Sequence, residues 1–103
     1  MNVLYKSPFK KFVKRQNRPF QLVLEDEAER IKNDPDTGDL KKGDLSGFRV
    51  HKFVFLNQEY LIAYKHQNDW IVFYMTGTHE NFYRELKHYI KEVSNRDNSP
   101  ESL

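Results

Sequence analysis

The sequence predicts an α+β fold, with a helical hairpin and a C-terminal helix on a small, mainly antiparallel sheet of four strands in the order β-α-α-β-β-β-α. Three observations carry this. Two stretches near the N-terminus repeat their apolar residues at helical spacing. Three later runs, residues 47–56, 60–66 and 70–76, are rich in aromatic and β-branched side chains and are separated by short polar connections. A last amphipathic stretch follows them, which leaves a meander with its helices on one side.

Each element has its own signals. Asn2 to Lys6 reads as a short edge strand. Ser7 and Pro8 open the first helix, with Ser7 as the expected N-cap and Pro8 at the first helical position, where its missing amide costs nothing. Phe9, Phe12 and Val13 form its buried stripe, and Lys10, Lys11, Lys14 and Arg15 cover the rest of its circumference. That basic surface is either a solvated face or a phosphate-contacting one. Asn17-Arg18-Pro19 breaks the helix, and a second runs from Pro19 to Asn33 with Phe20, Val23, Leu24, Ala28 and Ile31 on one side. Residues 34–47 read as a loop holding Leu40 and Leu45. Asn57-Gln58-Glu59 and Gln67-Asn68-Asp69 are the expected hairpin connections.

The stretch from Met75 to Tyr83 closes the sheet. Gly77 is expected to supply a turn and Thr78 to cap the following helix. Phe82, Leu86, Tyr89, Ile90 and Val93 then mark the apolar stripe of a helix from His79 to Val93. This sets His79 at the start of a helix on the sheet rim with Tyr83 one turn on. An imidazole, a phenol and free backbone amides gathered there can handle a phosphate, although a surface histidine beside a capped helix fits the same pattern. From Ser94 onward the composition is polar and includes Pro100, so residues 1–93 are expected to form one domain and 94–103 a flexible tail.

Composition narrows the function. The chain has 103 residues, enough for one core, and that core draws on 8 Phe, 6 Tyr and 1 Trp. With 31% charged residues of mixed sign it reads as a soluble globular protein. It has no cysteine, so disulfides, thiol nucleophiles and zinc-finger patterns are excluded. No apolar run is long enough to span a membrane and the N-terminus is unlike a signal peptide, so the cytoplasm is expected. The net charge is only +2, but it is segregated. Lys6, Lys10, Lys11, Lys14, Arg15 and Arg18 crowd a segment without acids, whereas Glu25 to Asp44 is dominated by carboxylates. A polyanionic partner suits the first segment.

Three motifs carry a family resemblance. Leu40-Lys41-Lys42-Gly43-Asp44-Leu45-Ser46-Gly47-Phe48-Arg49 resembles the loop-to-strand signature of the RelE/ParE toxin superfamily. Tyr60-Leu61-Ile62-Ala63-Tyr64-Lys65 is similar to its third strand. Thr76-Gly77-Thr78-His79 with Phe82 and Tyr83 resembles the closing segment of the YafQ-like branch. The match spans roughly residues 2–92 and implies a RelE-like fold. It also implies a small bacterial toxin paired with an antitoxin. RelE-like members cut mRNA in the decoding site of the ribosome, whereas ParE-like members poison DNA gyrase.

On the endoribonuclease reading the resemblance assigns roles. His79 matches the branch's catalytic histidine and suits a general base, with Glu80 or Glu59 as a carboxylate partner for an acid role. Tyr83 matches an aromatic position that stacks a base or contacts the phosphate, unless it is simply packed. Arg49 matches an arginine that clamps the scissile phosphate; an ion pair with the acidic loop is its structural alternative. His51 and Lys52 point to opposite faces of one strand, so at most one of them reaches the site, and Lys52 is favoured. Lys65 and Tyr60 are further RNA contacts, as are Lys10 and Lys14 on the first helix. The chemistry requires no metal or cofactor. Two departures stand out, since Leu61 and His79 occupy positions where RelE carries arginines.

The implied partners are an antitoxin, mRNA and the ribosome, and no membrane. The antitoxin is expected to lay an amphipathic or extended acidic segment over the basic helix and the sheet rim, against Lys10, Lys14 or the Arg49 region. Two other readings stand beside the nuclease: a gyrase-poisoning toxin, and a catalytically weakened homologue that only binds its antitoxin.

Overall fold

The computed structural model describes residues 1–96, with the side chains of 95 and 96 excepted. Its elements are β1 (Asn2–Tyr5), α1 (Ser7–Lys14), α2 (Arg18–Asn33), β2 (Asp39–Leu40), a 3-10 turn (Gly43–Leu45), β3 (Arg49–Phe55), β4 (Gln58–Gln67), β5 (Trp70–Thr78) and α3 (Phe82–Arg96). The α+β class and the order of the long elements are as the sequence predicts. The sheet has five strands rather than four, in the order β1-β5-β4-β3-β2. The added strand, β2, is two residues of the expected loop that pair antiparallel with Val50 and Arg49. β1 runs parallel to β5, and the other pairings are antiparallel.

The helices cover both faces of the sheet, not one. α1 and α2 pack Phe9, Phe20, Leu24, Ala28 and Ile31 against Phe53, Ile62, Tyr64, Ile71 and Phe73. α3 packs Phe82 and Leu86 against Val50, Leu61 and Ala63 on the opposite face, where Leu45 and Phe48 complete the cluster. β4 shows why. Leu61, Ile62, Ala63 and Tyr64 are all fully buried, and successive strand residues point to opposite faces, so each face must be covered.

Several boundaries differ from the expectation for local reasons. α1 begins at Ser7 itself; Lys6 holds the cap position and no side chain caps the helix, while Pro8 lies in the first turn. Asn17 caps α2, its side-chain oxygen accepting from the Phe20 amide at 3.1 Å. Both hairpin loops are tighter than expected. Phe55 pairs with Gln58, so only Leu56 and Asn57 turn, both at positive φ as a type I′ hairpin requires. Asn68 and Asp69 make the second two-residue loop.

The segment around Gly77 departs most. Gly77 and Thr78 are strand residues opposite Leu61 and Tyr60, so Gly77 is not a turn and Thr78 is not a cap. The reversal falls on His79–Asn81 instead, with Asn81 at φ 65, a conformation asparagine tolerates better than most residues. The Glu85 amide donates to the Asn81 carbonyl at 2.9 Å, so α3 starts at Phe82 rather than His79. α3 also runs past the expected end to Arg96, taking in the first residues of the expected tail, and residues 97–103 lie outside those described. No helix among the described residues is long and apolar enough to cross a membrane.

Candidate functional site

β5 delivers His79 to the rim. Because Thr78 pairs with Tyr60, the strand keeps its hydrogen bonds up to the residue before the histidine. The Phe82 amide then donates to the His79 carbonyl at 3.3 Å and closes the reversal. Phe82 and Leu86 anchor the first turns of α3 in the core, which fixes Tyr83 beside them, half-buried. The Tyr83 ring meets the exposed His79 ring edge-on, 6.0 Å between centroids at 80°, and Phe82 edge-on at 5.5 Å.

A third group joins them that sequence reasoning missed. Lys41, just after β2, holds its Nζ 5.4 Å from the Tyr83 ring centroid. Its backbone is tied down, since its amide donates to the Phe48 carbonyl at 2.8 Å. The chain marks it by its place in the basic pair Lys41-Lys42, inside the Leu40 to Arg49 motif. Lys52 is exposed on the same face as α3, in the row Lys52–Leu61–Gly77 that ends two residues short of His79.

The other expected site residues lie elsewhere. Arg49 shares the α2 face with His51. One of its terminal nitrogens donates to the Asp36 and Gly38 carbonyls at 3.0 and 2.9 Å, and the other is 3.7 Å from the Asp36 carboxylate. It therefore buttresses the α2–β2 loop and is not part of the His79 cluster. Tyr60 stacks on Phe53 at 5.5 Å and lies 4.7 Å from the Phe20 ring, within the aromatic layer under α2. Lys65 is on the α3 face but five residues along β4 from Tyr60, about 16 Å away at a strand's usual rise. Lys10 and Lys14 line a groove of about 390 Å³ between α1 and α2, beside Glu25.

The surroundings of the four histidines set one apart. His51 Nε2 is 2.7 Å from Glu27, His66 Nδ1 is 3.1 Å from Asp36, and His88 is 3.5 Å from Glu92. The His79 imidazole has no hydrogen-bond or carboxylate partner among the described residues, Glu80 and Glu59 included, and its ring meets that of Tyr83. Its ring nitrogens are thus open to a ligand's proton, next to an aromatic surface and an ammonium group. Such a set can stack a base and hold a phosphate. Among the described residues no three metal-ligating side chains converge.

The sequence profile of the ParE-like toxins of type II bacterial toxin–antitoxin systems matches residues 3–87. The chain belongs to this family. The match runs from β1 into α3 and includes His79, Tyr83 and Lys41. No curated protein sequence matches the chain. As a type II toxin, this ParE-like protein has an antitoxin for a partner. Its basic α1 carries two separate rows, Lys10 and Lys14 toward α2, and Lys11 and Arg15 along a groove of about 650 Å³ beside the end of β5.

Proposed function

We propose that this ParE-like toxin is a metal-independent endoribonuclease that cuts mRNA on the ribosome, in the cytoplasm, and so stops translation. The observation that carries the reading is the unpartnered imidazole of His79 set edge-on to Tyr83, whose ring also holds Lys41. In this reading His79 takes the proton of a 2′-hydroxyl, and that oxygen attacks the adjacent phosphorus. Lys41 and Lys52 offset the charge that builds on the crowded phosphate. Tyr83 stacks a flanking base. The bond to the 5′-oxygen breaks, the leaving oxygen takes a proton from solvent at this open rim, and a 2′,3′-cyclic phosphate and a 5′-hydroxyl result.

Induced expression of the wild type beside His79→Ala, with growth and mRNA 5′-ends followed together, tests it. Growth arrest with new in-frame ends, both lost in the variant, is expected. Arrest without RNA ends, indifferent to His79, would sink the reading.

A second reading, poisoning of DNA gyrase, is favoured by the ParE-like character of the matching family and by the tie of Arg49 to backbone carbonyls. It requires no catalytic histidine. Double-strand breaks trapped on gyrase in cells expressing His79→Ala would support it in place of the nuclease.

A further inference from the structure

The α3 face carries a second cluster of cations, at the other end of the sheet from His79. It begins with an irregularity in β5. Ala63 pairs with Met75 and Tyr64 with Phe73, which leaves Tyr74 without a partner on β4. A bulge of this kind re-aims side chains. Tyr74 and Met75, which strict alternation would send to opposite faces, both pack on the α3 face. Tyr74 there meets Phe48 edge-on, 4.7 Å between centroids.

Two lysines converge on these rings. Lys65 holds its Nζ 4.6 Å from the Phe48 centroid and 5.8 Å from that of Tyr74. Lys6, between β1 and α1, holds its Nζ 5.7 Å from the same Tyr74 ring. Neither lysine has an ion pair or hydrogen bond to a carboxylate among the described residues. The space between them and the C-terminal half of α3 is about 140 Å³; Tyr89 and Ser94 are among its lining residues, and none of the described lining residues is acidic.

We propose that this space is a binding site for a phosphate group. Two ammonium groups brought to one tyrosine ring repel each other, and an anion between them removes that penalty. The Lys6 ammonium already feels it: burial first, and then the charge of Lys65, holds it below the ordinary lysine range. Lysine binds phosphate as a mobile point charge, so the two need no fixed fork geometry to close on it. Burial keeps the Tyr74 phenol protonated to higher pH than usual, which leaves a hydrogen-bond donor beside them. The cavity admits a phosphate but not a whole nucleotide, so a sugar and base would remain outside. A free nucleotide and an RNA strand offer the same group. The site is independent of the nuclease reading, because it uses neither His79 nor Tyr83.

Titration of the full chain with inorganic phosphate at constant ionic strength, followed by the ring resonances of Tyr74 and Phe48, tests the proposal. A saturable shift is expected, at least tenfold weaker in Lys6→Gln/Lys65→Gln and unchanged in Lys11→Gln. A drift that chloride reproduces would overturn it, as would equal affinity in a double variant that melts like the wild type. Should the double variant not fold, Lys65→Met, which keeps an apolar stem over Phe48, is judged by the same tenfold criterion. Displacement of phosphate by 5′-AMP would assign the ligand to free nucleotides. Displacement only by a short single-stranded RNA would assign it to a polynucleotide. Both support a phosphate site.

Discussion

The Tyr64 hydroxyl lies 3.0 Å from the Gly38 amide, and this closeness leaves no room for a side chain at position 38. The same hydroxyl donates to the Pro35 carbonyl at 2.7 Å, so a fully buried strand residue holds the loop that leaves α2. A Cβ on Gly38 would sit 2.8 Å from that oxygen and 2.9 Å from a ring carbon. The ring is enclosed and has nowhere to retreat. Gly38→Ala is expected to cost about 1–3 kcal/mol by overpacking. Tyr64→Phe is expected to cost about 1–3 kcal/mol by leaving the buried amide unpaired. Denaturant unfolding measures both. A double variant no worse than the worse single one would show that they act on one contact.

The same tyrosine gives the fold an alkaline limit. Burial pushes its pKa up, partly opposed by the Gly38 amide and by Arg49, and burial also raises that of Tyr74. In the unfolded chain a tyrosine releases its proton near pH ~10. The folded state holds the proton longer, so these groups contribute fully below that pH, and their contribution is lost as the pH climbs through and above it. Unfolding midpoints followed upward from about pH 8 should be level and then fall beyond about pH 10. In Tyr64→Phe the fall should be shallower. An equally steep fall would mean that other groups set the limit.

Arg49 is expected to behave as a structural residue. Its two hydrogen bonds go to backbone carbonyls, while its ion-pair partner Asp36 is 69% exposed and contributes little. A lysine ammonium is a single nitrogen on a different stem, so it cannot hold both carbonyls and also present the second nitrogen that faces Asp36. Arg49→Lys should therefore lower stability by about 1 kcal/mol and Arg49→Ala by about 1–2 kcal/mol. RNA cleavage per folded molecule should stay within about twofold of wild type. A variant that melts normally yet no longer cleaves would return Arg49 to the phosphate.

Much of this was legible in the chain, and the misses have physical causes. The helical stripes on Phe9, Phe12 and Val13 and on Phe20, Leu24, Ala28 and Ile31 do lie against the sheet. The unbroken apolar run Leu61-Ile62-Ala63-Tyr64 already signalled a strand covered on both faces, which the expectation of helices on one side passed over. Gly77 looked like a turn because glycine is read as punctuation, yet its neighbours Thr76 and Thr78 favour a strand and Asn81 supplies the positive φ. The two-residue β2 is set by tertiary pairing with Val50 and Arg49 and leaves no periodicity to read. In the candidate site, the sequence set His79 and Tyr83 on one rim a helical turn apart, whereas the structure brings their rings together across the reversal that precedes α3. Lys41 arrives from a distant loop, and no local pattern links it to them.

If the His79 rim cleaves RNA, Tyr83 and Lys41 should separate in their effects. Tyr83→Phe keeps the ring that faces His79 and Lys41, so cleavage should fall by no more than about threefold if stacking is its role. Tyr83→Ala removes the surface that positions both neighbours, and a loss of about tenfold to a hundredfold is expected. Lys41→Met keeps the length of the side chain and removes the charge, which should cost about tenfold or more at unchanged stability. Single-turnover cleavage of programmed ribosomes gives these rates. A Tyr83→Phe defect as deep as that of His79→Ala would place the hydroxyl, and not the ring, in the chemistry.

The antitoxin should distinguish the two basic rows of α1. Lys10 and Lys14 look into the groove with α2, where Glu25 already offers a carboxylate. Lys11 and Arg15 border a different surface. β1 pairs only with Trp70 to Phe73, so from Tyr74 to Thr78 the outer edge of β5 has no strand beside it among the described residues. An extended segment laid there would gain backbone hydrogen bonds, with Lys11 and Arg15 along one wall and Glu85 along the other. Charge reversal should therefore weaken the complex unequally. Lys11→Glu/Arg15→Glu is expected to raise the Kd by roughly tenfold or more, and Lys10→Glu/Lys14→Glu by a few-fold through long-range attraction alone. Raising salt should narrow the second difference more than the first, because only close, partly enclosed pairs resist screening. The reverse order of sensitivities would move the antitoxin to the α1–α2 groove.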